Sequence, residues 1–315
     1  MTEITWGARD EAARELERRV GLRAERDALL AEHTTMRVGG PADLLITVRD
    51  RFTLRGVVRL AQSKGWPLRI LGRGSNVVVS DAGIRGIVLL NRSAGVTIDA
   101  GAGTINADSG LSMAKLSTLA ADAGLTGAEF ALAIPGNLGG AIWANAGAHG
   151  GEMSQILQRV AIMRQDGGEE EITADALNLS YRHSRFKEEV GRGEVVLGAT
   201  MLLQAGEPTE IKARLEEIRR WRREHQPLGI PSAGSVFRNP PAGPSAGALI
   251  EAAGLKGRTI GGAEVSTMHA NWILNRGGAT AAAIRELHDC CIREVQQHAG
   301  LTLESEIQFI GEEPA

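Results

Sequence analysis

Apolar residues in this chain recur at two spacings, helical and alternating, and the succession of the two predicts an α+β architecture. Between residues 9 and 30, Leu16, Val20, Leu22, Leu29 and Leu30 lie among charges of both signs, which reads as a solvated N-terminal helix. Residues 43–90 read strand, helix, strand, turn, strand, strand, with Leu54, Val57, Val58 and Leu60 as the apolar face of the helix. A crossover of that kind favours a parallel strand pair with the turn at its end. Short alternating runs from Val96 to Asp108 predict strands, and Leu111 to Ala123 predicts a helix. Val160 to Ile172 reads as a hairpin around Asp166-Gly167-Gly168, and Glu194 to Leu203 as a strand. Gly206-Glu207-Pro208 marks a boundary before a charged helix at 208–225. Helices near 245–253 and 279–299 then mix with short strands.

The turn Gly72-Arg73-Gly74-Ser75-Asn76 stands between two of the apolar runs, Leu68 to Leu71 and Val77 to Val79. Successive N–H groups in such a turn converge into an anion-binding nest. A dinucleotide fingerprint would instead lead from strand into helix and read G-x-G-x-x-G. The turn therefore suggests the pyrophosphate of a nucleotide cofactor, held outside a Rossmann fold; a glycine hairpin that binds nothing is the plain alternative. Two further segments share its character. Thr34-Thr35-Met36-Arg37-Val38-Gly39-Gly40-Pro41 combines hydroxyls, a cation and glycines. Pro135-Gly136-Asn137-Leu138-Gly139-Gly140-Ala141 is followed closely by Asn145-Ala146-Gly147. Small residues let another group approach the backbone, and the three segments together look like the walls of one extended site.

Bulk properties narrow the setting. A length of 315 residues suits two or three domains, and 43% apolar with 23% charged residues is ordinary for a soluble protein. Aromatics make up only 3%, so the cores must be aliphatic. A net charge of −3 offers no general attraction to nucleic acid or to anionic membranes. The first residues lack a signal-peptide layout, and no apolar run approaches the length of a membrane span. The only cysteines, Cys290 and Cys291, are adjacent and read as buried thiols, so a reducing cytoplasm is expected. The seven histidines show no metal-ligand spacing, and no metal is expected.

Three segments carry groups suited to chemistry. Gly234-Ser235-Val236-Phe237-Arg238-Asn239-Pro240 sets a hydroxyl after a glycine, with a cation and an amide just beyond; a simple turn is the alternative. Tyr181-Arg182-His183-Ser184-Arg185-Phe186-Lys187 joins cations to the chain's one tyrosine, a charge run expected to be partly buried. Leu303 to Ile310 alternates, which places Glu304 and Glu306 on one face of a strand, either solvated or able to furnish an acid.

With these segments the chain resembles the UDP-N-acetylenolpyruvoylglucosamine reductases. His33 to Ala42, Leu71 to Val79, Ile134 to Gly151, Tyr181 to Lys187, Gly234 to Pro240, Gly262 to Ser266 and Leu303 to Gly311 run in family order. The resemblance implies a two-lobed FAD-binding region of the p-cresol methylhydroxylase type and a C-terminal α+β substrate-binding domain. Their expected limits are 31–92, 93–206 and 207–315, after a helical extension over 1–30. It implies non-covalent FAD held by Arg37, Val38, Gly39, Gly40, Gly72, Arg73, Gly74, Ser75, Asn76, Pro135, Gly136, Gly139, Gly140, Ala141, Asn145 and Gly147. It implies NADPH as reductant and a sugar-nucleotide substrate bound by Asn76, Tyr181, Lys187, His225, Arg238 and Asn239. No obligate protein partner is expected.

The family's chemistry sends hydride to the vinyl carbon of an enolpyruvyl ether and leaves an enolate charge. The resemblance then makes Arg182 and Glu306 the groups at the substrate carboxylate and Ser235 the proton donor. Two departures stand out. The segment between Tyr181 and Ser235 is too short for the tyrosine-bearing insertion of one family subtype, and His225 stands where a lysine is usual. A different flavin oxidase or dehydrogenase of the same superfamily is the competing enzyme. It would lack the Gly234–Pro240 and terminal Leu-Glu-x-Glu segments, and many such enzymes tether FAD through a histidine; residues 67–83 hold none, and only His149 lies near the second glycine segment. A flavin- or sugar-nucleotide-binding protein without activity should have lost Arg182, Ser235 or Glu306, and all three are present.

Overall fold

A computed structural model describes residues 6–312, and the chain divides into two compact units. The first comprises the chain up to residue 25 with 44–72 and 86–222; the second comprises 26–43, 73–85 and the chain from 223 onward.

In the first unit the helix Arg51–Lys64 begins where the Asp50 side chain accepts the Thr53 N–H (2.7 Å) and ends at Gly65 in the left-handed region (φ 65°). Its Leu54, Val57, Val58 and Ala61 share an aliphatic core with Leu44, Ile46, Ile87 and Leu89. The parallel pair expected here exists, but it joins Leu68–Leu71 to Ile84–Asn91, with Leu68 opposite Ile87. Strand Pro41–Val48 neighbours Ile84–Asn91 as well, so the crossover skips one sheet position. A second sheet is antiparallel, in the order Glu169–Thr173, Leu157–Met163, Val195–Leu202, Thr104–Asp108, Val96–Asp99. Its apolar face joins the helices Met113–Asp122 and Leu138–Trp143 in a core that includes Leu111, Leu116, Phe130, Ile142, Val160 and Met201.

The second unit holds an antiparallel sheet in the order Ser232–Ser235, Trp272–Asn275, Ala263–Val265, Thr259–Ile260. Helices Ala246–Ala252 and Ala281–Ala299 close its core through Leu249, Ile250, Ile284, Leu287 and Val295. The longer helix is capped by Thr280, and the Asp81 carboxylate accepts from the N–H groups of Ala281 (2.8 Å) and Ala282 (3.0 Å), where an anion meets the positive end of the helix. Cys290 and Cys291 are free and buried in this helix. Burial pushes the Cys291 thiol up to about 12, which leaves it unreactive near neutral pH.

Two expectations change, and the alternative of a glycine hairpin falls. The N-terminal helix is Trp6–Val20 and stops at Gly21 (φ 72°); Glu25–Leu29 is a strand. Ala12 and Leu16 are fully buried in the first core, so this helix covers an apolar face and is not solvated all round. Val77–Val79 pairs in parallel with Gln308–Ile310, not with Leu68–Leu71, so the glycine turn is no hairpin. Finally, only Gln308–Ile310 of the segment 303–310 is a regular strand. Residues 304–306 form just one isolated bridge, Ser305 to Phe237, and the two glutamates differ: the Glu304 side chain is 76% exposed, whereas Glu306 is half-buried.

Candidate active site

Two of the three glycine segments meet in the second unit. Thr35 N–H donates to Gly74 O (3.1 Å), and a Cβ on Gly74 would lie 2.5 Å from His33 O, which only a glycine avoids. A Cβ on Gly40 would collide with the Asp81 carbonyl, and one on Gly39 would come within 2.7 Å of the Val79 side chain. These glycines are therefore required by close packing of the two loops on each other. What the packing leaves is a row of donors: among the described residues nothing accepts a hydrogen bond from the N–H groups of Gly74, Ser75 and Asn76. Arg37 lies nearby in chain with φ 56°, a conformation an arginine does not adopt unaided. It is held there by Asn275, whose Nδ2 donates to Met36 O (3.1 Å) and Arg37 O (3.4 Å).

The third segment lies in the first unit, with Gly72. A Cβ on Gly72 would sit 3.3 Å from the Asn137 side chain, and one on Gly139 would sit 3.1 Å from Ser109 Cβ. Gly140 differs, because space beyond its Cα is open for 4 Å. Asn137 Nδ2 donates to Asn91 O (2.9 Å) and Arg92 Nη1 donates to Gly72 O (2.6 Å), so Asn91 and Arg92 brace this loop. The chemistry of these loops fits FAD: unmet backbone donors in a glycine-lined turn for a diphosphate, and an open glycine in a small-residue wall for a flat ligand.

Tyr181, Arg182 and Lys187 gather beside Asn145 and Gly147 in the first unit. Arg182 takes φ 54° and Asn145 φ 41°. Arg182 Nη2 donates to Gly147 O (2.8 Å), Asn145 Nδ2 to Ser180 O (2.9 Å), and Lys187 Nζ to Arg182 O (2.7 Å). The Lys187 ammonium also lies 4.2 Å from the centre of the Trp143 ring. The expected partial burial is seen: Ser184 and Phe186 are buried, while Tyr181 is 49% exposed. His149 (φ 51°) meets Trp221 edge-on at 4.9 Å, and burial, aided by Arg214 and Arg222, pushes its pKa below the usual histidine range.

Ser235 and Glu306 come together in the second unit. Gly234 (φ 77°) and a register shift between Ser232 and Ser235 make a bulge that re-aims the serine at the end of its strand. Glu306 N–H donates to Val236 O (2.8 Å), Arg238 N–H to Glu304 O (2.9 Å), and Asn76 Nδ2 to Glu306 O (3.0 Å). Arg238 faces Glu304 at 3.6 Å, yet its buried Nε has no hydrogen-bond partner among the described residues. Asn239 accepts the Ala246 N–H (3.1 Å). His225 is exposed at the last position of the helix Pro208–His225. Beyond it, a cavity of about 490 Å³ is lined by Arg223, Gln226, Leu228, Met268 and Arg276, among others. Sequence reasoning did not mark Asn275, Asn91 or Arg92. Each acts over a long span of chain, and nothing local distinguishes it.

A family model described as an FAD binding domain matches residues 42–173, and one described as the UDP-N-acetylenolpyruvoylglucosamine reductase C-terminal domain matches residues 226–310. The UDP-N-acetylenolpyruvoylglucosamine reductase of Heliobacterium modesticaldum is 42% identical over 283 residues, covering 90% of this chain and 89% of that one. The enzyme of that name from Bacillus pumilus is 39% identical over 298 residues, 95% of this chain and 97% of its own. The crystal structure of UDP-N-acetylenolpyruvylglucosamine reductase from Thermus caldophilus matches 91% of this chain and 99% of its own, with 37% identity and a TM-score of 0.77.

Proposed function

The chain belongs to the UDP-N-acetylenolpyruvoylglucosamine reductase family, and from that premise we propose how its residues divide the work of the reaction. It is an FAD-binding oxidoreductase of peptidoglycan precursor synthesis that reduces the enolpyruvyl ether of UDP-N-acetylenolpyruvoylglucosamine to UDP-N-acetylmuramate. NADPH is the reductant. FAD, when bound, supplies the hydride for the vinyl carbon. The electron pair then left on the neighbouring carbon spreads into the substrate carboxylate as an enolate. Arg182 meets that charge with a guanidinium and Glu306 with a hydrogen bond, both strongest as the charge develops. Ser235 gives its hydroxyl proton to the carbon and regains one from water.

Arg37 to Gly40, Gly72 to Asn76, Pro135 to Ala141, Asn145 and Gly147 hold FAD without a covalent bond. Asn76, Tyr181, Lys187, Arg238 and Asn239 hold the substrate. The unpartnered Arg238 Nε supports an anionic ligand there. His225 and Arg223 serve the substrate diphosphate; Arg223 lines the cavity together with Leu228 and Met268, which offer the apolar wall its base needs. The enzyme works in the cytoplasm; among the described residues no helix is long and apolar enough to cross a membrane.

The observation that carries this reading is the Glu306 N–H bond to Val236 O. It sets the Glu306 carboxyl and the serine on adjoining segments, inside the region that matches the reductase C-terminal domain. The test is direct. Purified protein should be yellow, should release all its flavin on acid denaturation, and should turn over NADPH beyond one equivalent per flavin, in the absence of oxygen, only when the enolpyruvyl substrate is added. Colourless protein, or flavin that stays on the precipitate, would overturn it.

A further inference from the structure

The side chain of Asn271 stands in for a strand. Ser232–Ser235 and Trp272–Asn275 run antiparallel with Ser235 opposite Trp272, and their regular pairing ends there. One step further, the Val236 N–H donates to the main-chain oxygen of Asn271 (2.9 Å). The Phe237 N–H then donates to Asn271 Oδ1 (2.9 Å), and Asn271 Nδ2 donates to Phe237 O (2.8 Å). A carboxamide carries one acceptor and one donor group side by side, as a strand residue does, so it closes both main-chain groups of Phe237 at once.

On the opposite edge, Val236 and Arg238 are bonded to Glu306 and Glu304, so residues 236–238 are pinned from both sides. Asn271 is itself fixed. It is only 4% exposed, and its N–H donates to His269 Nδ1 (3.3 Å) in a turn where the Ser266 hydroxyl accepts from Met268 and His269 (both 3.2 Å).

We propose that Asn271 is a positioning residue for proton transfer. It sets the register of residues 235–238 against 304–306, and so fixes where the Ser235 hydroxyl and the Glu306 carboxyl stand. The inference rests on the role given to Ser235 above. A displacement of about an ångström in a reacting group can cost roughly 100-fold, so the sheet must extend one residue past its last regular pair to hold a weak acid in place.

Asn271→Asp keeps the size and the acceptor but turns an oxygen toward the Phe237 carbonyl; Asn271→Ala removes both bonds without adding charge. Rapid mixing should show reoxidation by the enolpyruvyl substrate slowed about 10- to 100-fold in both variants, with flavin reduction by NADPH changed far less. Amide hydrogen exchange, read without turnover, should show the Phe237 N–H exchanging about 10-fold faster or more, since a buried bond is lost. Adding N271D to Ser235→Ala should slow reoxidation by much less than the product of the single effects, because both act on one step. S235A alone tests the role of the serine. If S235A reoxidises normally, that role falls; if S235A is slow but N271D reoxidises at the parental rate with a faster-exchanging Phe237, the positioning role falls. Equal slowing of both half-reactions, or full multiplication in the double variant, also overturns it.

Discussion

Arg182 and Ser235, the cation and the proton donor, are presented in opposite ways. Arg182 sits in a loop with a left-handed backbone (φ 54°), held by side chains: its own guanidinium on Gly147 O, and Lys187 on its carbonyl. Ser235 ends a strand, and the residues after it are bonded through their main chains on both edges. Strain of this kind persists only where the surroundings over-determine it. The contrast follows from the chemistry. A guanidinium acts through a field that falls off slowly with distance, so a loop suffices to aim it. A serine is a weak acid that must lie within hydrogen-bond reach of one carbon, so it is built onto a sheet.

The largest effect should come from removing the sheet-held group. Ser235→Ala should leave reduction of the flavin by NADPH nearly intact and slow reoxidation by substrate about 10²–10⁴-fold, the range for a general acid. The motive is that only the second half-reaction places a proton on carbon. Equal slowing of both half-reactions would make Ser235 a structural residue and erase the contrast with Arg182.

The loop-held group should be more forgiving. Arg182→Ala is expected to slow the same step about 10²–10³-fold, comparable to the loss of one donor at a developing oxyanion. Arg182→Lys keeps the charge and loses the planar fork, so it should recover part of that loss. If Lys proves no better than Ala, geometry and not field is the contribution of Arg182, and the two residues are alike after all.

Much of this arrangement is legible in the sequence because its signals are local. The glycine turn at 72–76, the hydroxyl after Gly234, and the helix at 208–225 each follow from a few adjacent residues. The parts that are not legible depend on distant partners. Nothing near Val77–Val79 says that its neighbour is Gln308–Ile310, and each compact unit is assembled from separated stretches of chain. The asparagines Asn271 and Asn275 brace loops by donating their side-chain amides to main-chain oxygens far off in sequence, and a single polar residue has no period to betray it. Left-handed conformations at Arg37, Asn145 and Arg182 are hidden for a related reason: none is a glycine, and the strain is imposed by the folded surroundings. The alternation at 303–310 misled for the converse reason, since a local pattern suited to a strand found a strand partner only from residue 308 on.

The smallest expected effect concerns what lies beneath the sheet-held segment. His288 is buried, stacks on Phe237 at 4.8 Å and meets Phe309 edge-on at 5.1 Å. Its Nδ1 lies 2.8 Å from Asp289 Oδ1, while the buried Nε2 has no hydrogen-bond partner among the described residues. Burial pushes its pKa below the usual histidine range; Asp289 opposes this shift and Arg285 adds to it. The folded state therefore holds His288 neutral where the unfolded chain would bind a proton. Between the ordinary histidine value and the depressed folded one, the unfolded state binds more protons, so this contribution to stability is complete above the ordinary value and is lost as pH falls toward the folded one. His288→Phe keeps a ring between Phe237 and Phe309 and removes both the titration and the orphaned nitrogen. Melting temperatures measured from about pH 8 to about pH 5.5, a range spanning the ordinary histidine value, should fall less in the variant than in the parent, with the two closest at the alkaline end. Groups that do not touch His288 titrate equally in both proteins, so the difference isolates this ring and its bond to Asp289. Parallel curves would mean that His288 carries no such penalty and that the support under Ser235 is indifferent to its charge.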